Sequence, residues 1–429
     1  MRWLQRCYSV MVPDLSSHYR SVRARTTSAC APLTVEDHQI QSMADASPAK
    51  WHLAHTTWFF ETFVLKPLGQ PPEHEGWEFL HNSYYDAVGA RIDRARRGTA
   101  SRPALAEVLA YRASVDDRVL RALASGLDAA ASAVVELGLH HEQQHQELVY
   151  TDLKHALGTQ PMRPAYRDDL ARSAAAAAAS AAPLTWTEHD EAVTSIGAPA
   201  TGFAFDNERP RHRTLVPSFR LANRPVTNSD VLAFIAAGGY GDPRLWLSDG
   251  FATAKREGWV APLYWELRDG AWEHYDLSGT RPVEPMATAC HLSYYEADAI
   301  ARWCGARLPT EAEWEHAAQS LGLAAATTGN FADDGVLAPA AVAAGDPGLQ
   351  QMFGTVWEWT ASAYTAYPGF RPLGGALGEY NGKFMSGQMV LRGGSCFTPR
   401  AHVRTSYRNF FAPSARWQMT GVRLATERG

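Results

Sequence analysis

Apolar residues recur at helical spacing through most of the first third of the chain. Four stretches carry this pattern, residues 14–31, 47–65, 103–123 and 129–157. Apolar positions three or four residues apart form one stripe on a helix, and that stripe has to pack against other elements. Four such segments predict an up-and-down four-helix bundle.

The connection between the second and third predicted helices, residues 66–102, is rich in Pro, Gly, Arg and aromatic residues. Long loops of this kind commonly carry binding or catalytic groups, because a rigid scaffold can position them. We therefore expect this loop to contribute to function.

The pattern changes at about residue 185, where short apolar runs separated by Gly, Pro and Asn replace the long periodic stretches. Helices are predicted over 227–237, from Ser293 and from Thr310, where Thr310 and Glu313 form a capping box. The segment before this change, 167–184, is rich in alanine without an apolar stripe and is predicted to be a linker. The predicted organisation is a helical bundle over 14–166, the linker, and an α+β domain over 185–429.

Composition and charge argue against some classes of function. The chain has 429 residues and a formal net charge of −5, which argues against a general nucleic-acid-binding protein. No segment reaches the roughly 18 apolar residues of a membrane span. The five cysteines form no CxxC pair, which favours free thiols and a cytoplasmic location. The oligomeric state stays open.

Histidines give the sharpest chemical signal. His141 and His145 are four residues apart in the fourth predicted helix, so their imidazoles lie on one face and can bind one metal ion. His55, in the second helix, would complete a three-histidine set that leaves coordination positions open for substrate and O2. His52 and His140 fall on other helix faces and are predicted not to be ligands. Spacing alone leaves open that a glutamate, Glu142 or Glu147, replaces one histidine.

A zinc hydrolase is the alternative metal enzyme. The sequence His141-Glu142-Gln143-Gln144-His145 matches the HExxH pattern, in which Glu142 would be the general base. However, no third ligand or Met-turn pattern follows, and His55 would have no role. The oxygen-activating site is therefore the favoured interpretation.

Several motifs together resemble one known family. The segments WHLAHTTWFFETFVL and LGLHHEQQHQELVYTDLKHAL resemble the DinB-like iron-binding bundle of ergothioneine-biosynthesis sulfoxide synthases, the hercynine oxygenases. The second half resembles the formylglycine-generating-enzyme (sulfatase-modifying-factor) domain, which has a C-type-lectin-like fold. The motifs of that half are Arg307–Glu315, Gly354–Thr360, Val390–Ser395 and Gly421–Leu424. The resemblance implies a multidomain α and α+β protein, a DinB-like four-helix bundle followed by a C-type-lectin-like domain.

The resemblance also implies an activity and a set of residues. The activity is Fe(II)- and O2-dependent C–S bond formation and sulfoxidation between hercynine (trimethylhistidine) and a thiol, cysteine or γ-glutamylcysteine. Fe(II) would be held by His55, His141 and His145. Gln144 would contact the imidazole of hercynine, and Asn409 would lie near its trimethylammonium and carboxylate groups. An aromatic cage for the quaternary ammonium is expected from Tyr380, Phe410, Phe411 and Trp417.

Two branches of the family differ in their active-site tyrosines. One branch has a catalytic tyrosine in the loop before VLRGGS, where this chain keeps only Tyr380, and an acidic residue where this chain has Phe411. The other branch has an NSYY motif in the bundle, as this chain does at 82–85. We therefore expect Tyr84 and Tyr85 to donate protons or hydrogen bonds to the reacting oxygen. Because both marks of the first branch are missing, the thiol stays open.

Two further groups of residues follow from the same comparison. Arg94 and Arg97, which follow the NSYY motif, are candidates for binding a substrate carboxylate. Trp357 and Trp359, in contrast, are expected in the core.

Three other functions would fit part of this architecture. A formylglycine-generating enzyme needs a close cysteine pair near the C-terminal RGGS segment, and only Cys396 lies there. A relative that makes selenoneine from hercynine and a selenium donor would share the whole architecture. A lectin-like binding protein with a structural metal would be stable without metal and would consume no O2.

Overall fold

The computed structural model describes residues 14–170, 184–322, 329–342 and 348–428. Most of the predicted linker, residues 171–183, lies outside the described residues. The first half is helical and the second half contains four small β-sheets. The predicted fold class is confirmed.

Four long helices and a short one build the first half. They are α1 (Leu15–Cys30), α2 (Ala49–Phe60), α3 (Trp77–His81), α4 (Leu105–Ala124) and α5 (Ala129–Thr159). The four long helices begin and end within a few residues of the predicted bounds. The predicted second helix is only partly α-helical, because a π-helical turn at Glu61–Leu65 follows α2. The short α3 lies in the long connection between α2 and α4.

A buried ion cluster joins three helices of the bundle. Glu142 on α5 is fully buried and accepts hydrogen bonds from Arg23 and Thr26 of α1, at 2.8 and 2.6 Å, and from Arg112 of α4. Burial alone would raise the pKa of Glu142, but the two guanidinium groups outweigh it and lower this pKa to about 2. The carboxylate is therefore ionised and fully engaged. This overturns Glu142 as the general base of a zinc hydrolase or as a metal ligand.

The second half combines capped helices with short strands. Its helices are α6 (Asn228–Ala236), α7 (Ser248–Glu257), α8 (Tyr294–Trp303), α9 (Glu311–Ser320) and α10 (Glu379–Gly382). Side chains cap three of them, those of Thr227, Ser293 and Thr310, and Thr310 forms the predicted capping box with Glu313.

The strands form two main sheets and two smaller ones. One sheet has the order β1 (Trp186–His189), β4 (Phe219–Pro225), β12 (Arg423–Glu427), and the other has the order β10 (Asn409–Phe411), β9 (Met389–Arg392), β8 (Trp357–Ala363), β11 (Thr420–Gly421). The smaller sheets are β2 (Ala192–Ile196) with β3 (His212–Val216), and β5 (Trp265–Arg268), β6 (Ala271–Asp276), β7 (Gly279–Pro282). Trp357 and Trp359 on β8 are both fully buried, as predicted.

The two halves are joined through a half-buried glutamate. Glu147 on α5 accepts hydrogen bonds from Trp357 Nε1 at 2.6 Å, Ser395 Oγ at 2.8 Å and Thr398 Oγ1 at 2.7 Å. Because both of its oxygens are used by the second half, Glu147 is not a metal ligand. These contacts fix α5 against the strand that contains Trp357.

No helix in the described part of the chain is long and apolar enough to cross a membrane.

We predict that Glu142→Ala strongly destabilises the bundle. The substitution leaves the buried Arg112 without its carboxylate and Arg23 with Asp116 alone, and breaking a buried ion pair in this way costs about 3–5 kcal/mol. Chemical denaturation followed by helical circular dichroism measures the loss.

The matched control is Glu257→Ala, which removes an exposed ion pair with Arg256. It should change the free energy of unfolding by less than about 1 kcal/mol. Equal effects of the two substitutions would contradict the role given to Glu142.

Candidate functional site

Three histidines converge inside the bundle. One ring nitrogen from each of His55, His141 and His145 lies within 4.8 Å of the others, and all three residues are buried. His55 comes from α2 and the other two from successive turns of α5. The Nε2 atoms of His55 and His141 are 3.2 Å apart. Facing helices of a bundle commonly build metal sites in this way.

Hydrogen bonding prepares His55 as a ligand. Its Nδ1 lies 2.6 Å from the backbone oxygen of His81, which can only accept, so Nδ1 carries the proton and Nε2 keeps its lone pair. The ring is also stacked on Trp51, with 4.5 Å between ring centroids and 9° between planes. Both contacts fix the direction of the Nε2 lone pair.

The electrostatic environment keeps the three rings neutral. Burial lowers the pKa of His55 and of His145 well below the usual histidine range, and it lowers the pKa of His141 to about 4. Neighbouring imidazoles lower the pKa values of His55 and His145 further. Neutral imidazole is the form that binds metal ions. The three histidines therefore suit a metal ion that prefers nitrogen ligands.

The two histidines predicted not to be ligands lie outside this group. His52 is 2.8 Å from His145, measured between the two Nδ1 atoms, and it reaches Asp152 on its other side. His140 stacks on Phe203, at 3.7 Å between ring centroids, and its Nδ1 lies 3.0 Å from that of His402. His140 therefore belongs to the contact between the two halves.

A cavity of about 160 Å³ lies between the halves of the molecule, and Gln144, the residue before His145 in α5, lines it. His55, His141 and His145 are not among the described residues that line it. Seven of the ten residues predicted to act on substrate line it: Tyr84, Arg94, Gln144, Tyr380, Asn409, Phe410 and Phe411. The loop before α4, the helix α5 and the second half of the chain all contribute. Leu148, one turn beyond Gln144, lines the same cavity.

Aromatic rings form much of the cavity wall. Phe384 lies 5.0 Å from Tyr84, 5.6 Å from Tyr380 and 5.8 Å from Phe410, measured between ring centroids. Phe410 in turn stacks on Tyr364 at 4.0 Å. Such a group of ring faces suits a cationic ligand without hydrogen-bond donors.

Polar groups lie among these rings. The Tyr84 hydroxyl accepts a hydrogen bond of 3.0 Å from Arg94 Nη1. Gln144 Nε2 donates one of 3.0 Å to the Tyr407 hydroxyl. The cavity therefore combines a guanidinium group, a phenol and an amide with an aromatic wall. It shares the helix α5 with two of the three candidate metal ligands.

Three predicted residues are not among the described residues that line this cavity: Tyr85, Arg97 and Trp417. Tyr85 is 4% exposed, and its ring packs against Phe63 and Trp58. Arg97 is buried over the ring of Trp51, with 3.5 Å from its guanidinium carbon to the ring centroid.

Arg97 is also held by two serines. It donates hydrogen bonds of 2.9 Å to Ser47 Oγ and to Ser83 Oγ. Its contacts therefore link the Tyr84 loop to the start of α2, and in this structure they occupy its guanidinium group.

Some lining residues were not singled out from the sequence. They include Phe384, Tyr407, Thr151 and Gln418. Helical spacing carries a signal for Thr151, which is seven residues after Gln144 and thus on the same face of α5. Tyr407 adjoins the segment that contains Asn409. Phe384 stands in no periodic segment, so its position depends on tertiary packing.

Comparison with known proteins places both halves. The Sulfatase-modifying factor enzyme 1-like domain family matches residues 176–340 and 334–428, and the DinB superfamily matches residues 18–149. The chain is 32% identical to a hercynine oxygenase of Mycobacterium tuberculosis over 96% of this chain and 98% of that protein. It is 34% identical to a hercynine oxygenase of Mycolicibacterium thermoresistibile, over 88% and 87% of the two chains. Ergothioneine biosynthesis protein 1 of Schizosaccharomyces pombe is 29% identical over 52% of this chain and 27% of that protein.

We predict that divalent metal ions stabilise the folded protein through the three histidines. A ligand present at 100 times its Kd adds about 2.7 kcal/mol to the free energy of unfolding, because it binds the folded state alone. Thermal unfolding with and without Fe(II), under anaerobic conditions, measures this as a rise of the midpoint.

In His145→Leu the rise should disappear. His155→Leu is the matched control, because His155 lies on the same helix and bonds to Ser42 Oγ at 2.6 Å instead of joining the three ligands. A metal-induced rise that survives in His145→Leu would contradict this assignment.

Proposed function

The chain belongs to the hercynine oxygenase family, and on that premise we propose that it joins hercynine to a thiol and forms the sulfoxide, using Fe(II) and O2. The product is the sulfoxide intermediate of ergothioneine biosynthesis. One observation carries the proposal, namely that α5 holds two of three neutral, buried imidazoles and also lines an aromatic-walled cavity to which both halves of the chain contribute.

Iron is the metal that we propose for the three histidines. Imidazole ligands suit zinc, copper, iron and nickel, but zinc has no redox chemistry. When bound, Fe(II) supplies O2 activation and open positions at which both substrates can be held. The protein's part is to keep three lone pairs directed at one point and to hold the substrates beside it.

Hercynine fits the part of the cavity between Gln144 and the aromatic wall. Its trimethylammonium group is a cation without hydrogen-bond donors, so it gains from contact with ring faces such as Tyr380 and Phe410. The Asn409 side chain can hydrogen-bond the neighbouring carboxylate. Gln144, next to His145 in the chain, then faces the imidazole, which is the part of hercynine that reacts.

The thiol substrate is proposed to lie near Arg94 and Tyr84. A guanidinium group binds a carboxylate in two-point geometry, so Arg94 can hold the amino-acid end of the thiol when its Nη2 exchanges the backbone oxygen of Asp45 for the carboxylate. The Tyr84 hydroxyl already accepts a hydrogen bond from Arg94, which leaves its proton free to face the reacting oxygen. We therefore assign proton donation to Tyr84.

Indirect roles follow for the predicted residues away from the cavity wall. Arg97 would position the Tyr84 loop through its bond to Ser83. Tyr85 would anchor the same loop in the bundle core. Four free cysteines among the described residues accord with a reducing compartment, so we propose a cytoplasmic location.

The decisive test is product formation with both substrates. After anaerobic reconstitution with Fe(II), hercynine plus cysteine or γ-glutamylcysteine should consume O2 and give a thioether sulfoxide, identified by mass. The thiol that gives this product is thereby identified as the sulfur donor. Neither substrate alone should give that product.

Other outcomes separate the alternatives. If sulfinic acid is the only product with every thiol, the iron site is supported but coupling to these thiols is refuted. A selenium donor would then be tested. Absence of both metal binding and O2 uptake would refute the oxygenase and favour a binding protein.

We predict that Tyr84→Phe shifts the reaction from coupling to oxidation of the thiol alone. Loss of a positioned proton donor lowers the assisted step by about 10²–10⁴-fold, while metal binding and carboxylate binding remain. The ratio of sulfoxide to sulfinic acid measures the shift. In Tyr85→Phe, whose ring packs on Phe63, the ratio should stay close to that of the unsubstituted protein. The reverse order of effects would assign the proton to Tyr85.

A further inference from the structure

A chain of buried hydrogen bonds continues outward from His145. His145 Nδ1 lies 2.8 Å from His52 Nδ1, and His52 Nε2 lies 3.1 Å from the Asp152 carboxylate. The same carboxylate oxygen accepts a hydrogen bond of 2.8 Å from the backbone N–H of Ser47. The side chains of His52 and Asp152 are 2% and 7% exposed. This chain is therefore shielded from water.

The chemistry of these groups fixes where each proton sits. An ionised carboxylate can only accept, so His52 Nε2 must carry a proton and donate it to Asp152. When His52 carries this proton alone, its lone pair is on Nδ1. Two nitrogens 2.8 Å apart need one donor, and in that form of His52 the donor is His145 Nδ1–H. His145 is left with its lone pair on Nε2, the nitrogen available to a metal ion.

The three candidate ligands differ in what holds them. His55 donates its Nδ1–H to the backbone oxygen of His81, which no side-chain substitution can remove. The Nδ1 of His141 is buried with no hydrogen-bond partner among the described residues. His145 is the ligand whose tautomer depends on other side chains.

We propose that Asp152 and His52 are positioning residues that hold His145 in the tautomer required for metal binding. The inference rests on the proposed metal site and deepens it. Asp152 lies two turns beyond His145 on α5, while His52 reaches in from α2. Two helices therefore have to be correctly packed before the ligand presents its lone pair. Second partners of this kind orient metal-binding histidines and raise their basicity.

The test is metal affinity, measured for each variant by competition with a chromophoric chelator under anaerobic conditions. Loss of such a partner weakens metal binding by about 10–100-fold. We expect this loss for His52→Leu, which leaves His145 Nδ1–H without an acceptor, and for Asp152→Ala, which no longer fixes the proton on His52.

Two further variants separate positioning from general damage. In His52→Asn the amide oxygen can occupy the place of Nδ1 and accept from His145, so the affinity should recover towards that of the unsubstituted protein. The double variant His52→Leu with Asp152→Ala should bind the metal as tightly as His52→Leu alone, because Asp152 acts on metal binding only through His52. A merely structural role predicts additive losses and no recovery.

The tautomers are read directly by ¹⁵N NMR of the ring nitrogens in the Zn(II)-loaded protein. We expect a protonated Nδ1 on His145 and a protonated Nε2 on His52.

The control for the affinity measurement is His155→Leu, which should leave the metal affinity unchanged within about threefold.

The possible failures are distinct. If the unsubstituted protein binds no metal, the proposed function falls together with this inference. If it binds metal and His52→Leu, properly folded, binds equally well, or if His145 coordinates through Nδ1, only the positioning roles are refuted.

Discussion

The structure depends on one constraint, which is that the helix α5 buries polar side chains on several of its faces. A buried polar or charged group is costly unless it is hydrogen-bonded, so each of these side chains demands a partner from elsewhere. Glu142 takes two arginines from α1 and α4, Glu147 takes three neutral donors from the second half, and His145 takes His52 from α2. The partners come from most of the elements that surround α5. Its burial therefore dictates much of the assembly of the molecule.

In this arrangement, neighbouring residues of α5 have different roles. Helical rotation of about 100° per residue separates Glu142, His145 and Gln144 onto different faces. The first face holds the bundle together, the second presents a candidate metal ligand, and the third lines the cavity. Because these faces belong to one helix, helix geometry fixes the spacing between His145 and the cavity-lining Gln144.

The sequence predicted the helical bundle well because α1 and α5 are capped by a side chain and α4 has one apolar face, and such local signals survive into the fold. The helix α2 is buried along its whole length and has no side-chain cap, so its apolar content predicted it instead. The histidine positions were predictable for the same reason, since four-residue spacing on a helix determines a shared face. Motif order made the second half recognisable although its short strands carry weak periodicity. Burial could not be read in this way. Tyr84 and Tyr85 are neighbours with the same side chain, yet one lines the cavity and the other packs in the core. Arg97, a candidate from the sequence for binding a substrate carboxylate, contacts Trp51 and two serines through tertiary packing that has no local signal.

Glu142 shows that a match to a sequence motif does not establish the mechanism of that motif. His141–His145 satisfies the HExxH pattern in sequence, but a general base must reach the metal-bound face, whereas Glu142 points toward two arginines. Each guanidinium favours the ionised carboxylate and gives it a fixed direction, so Glu142 is unavailable for proton transfer. The base of a hydrolase needs a pKa near the working pH, and the pKa of Glu142 is lowered to about 2. The same ion cluster that stabilises the bundle therefore excludes the hydrolytic reaction and leaves the three imidazoles with no adjacent carboxylate base from this motif.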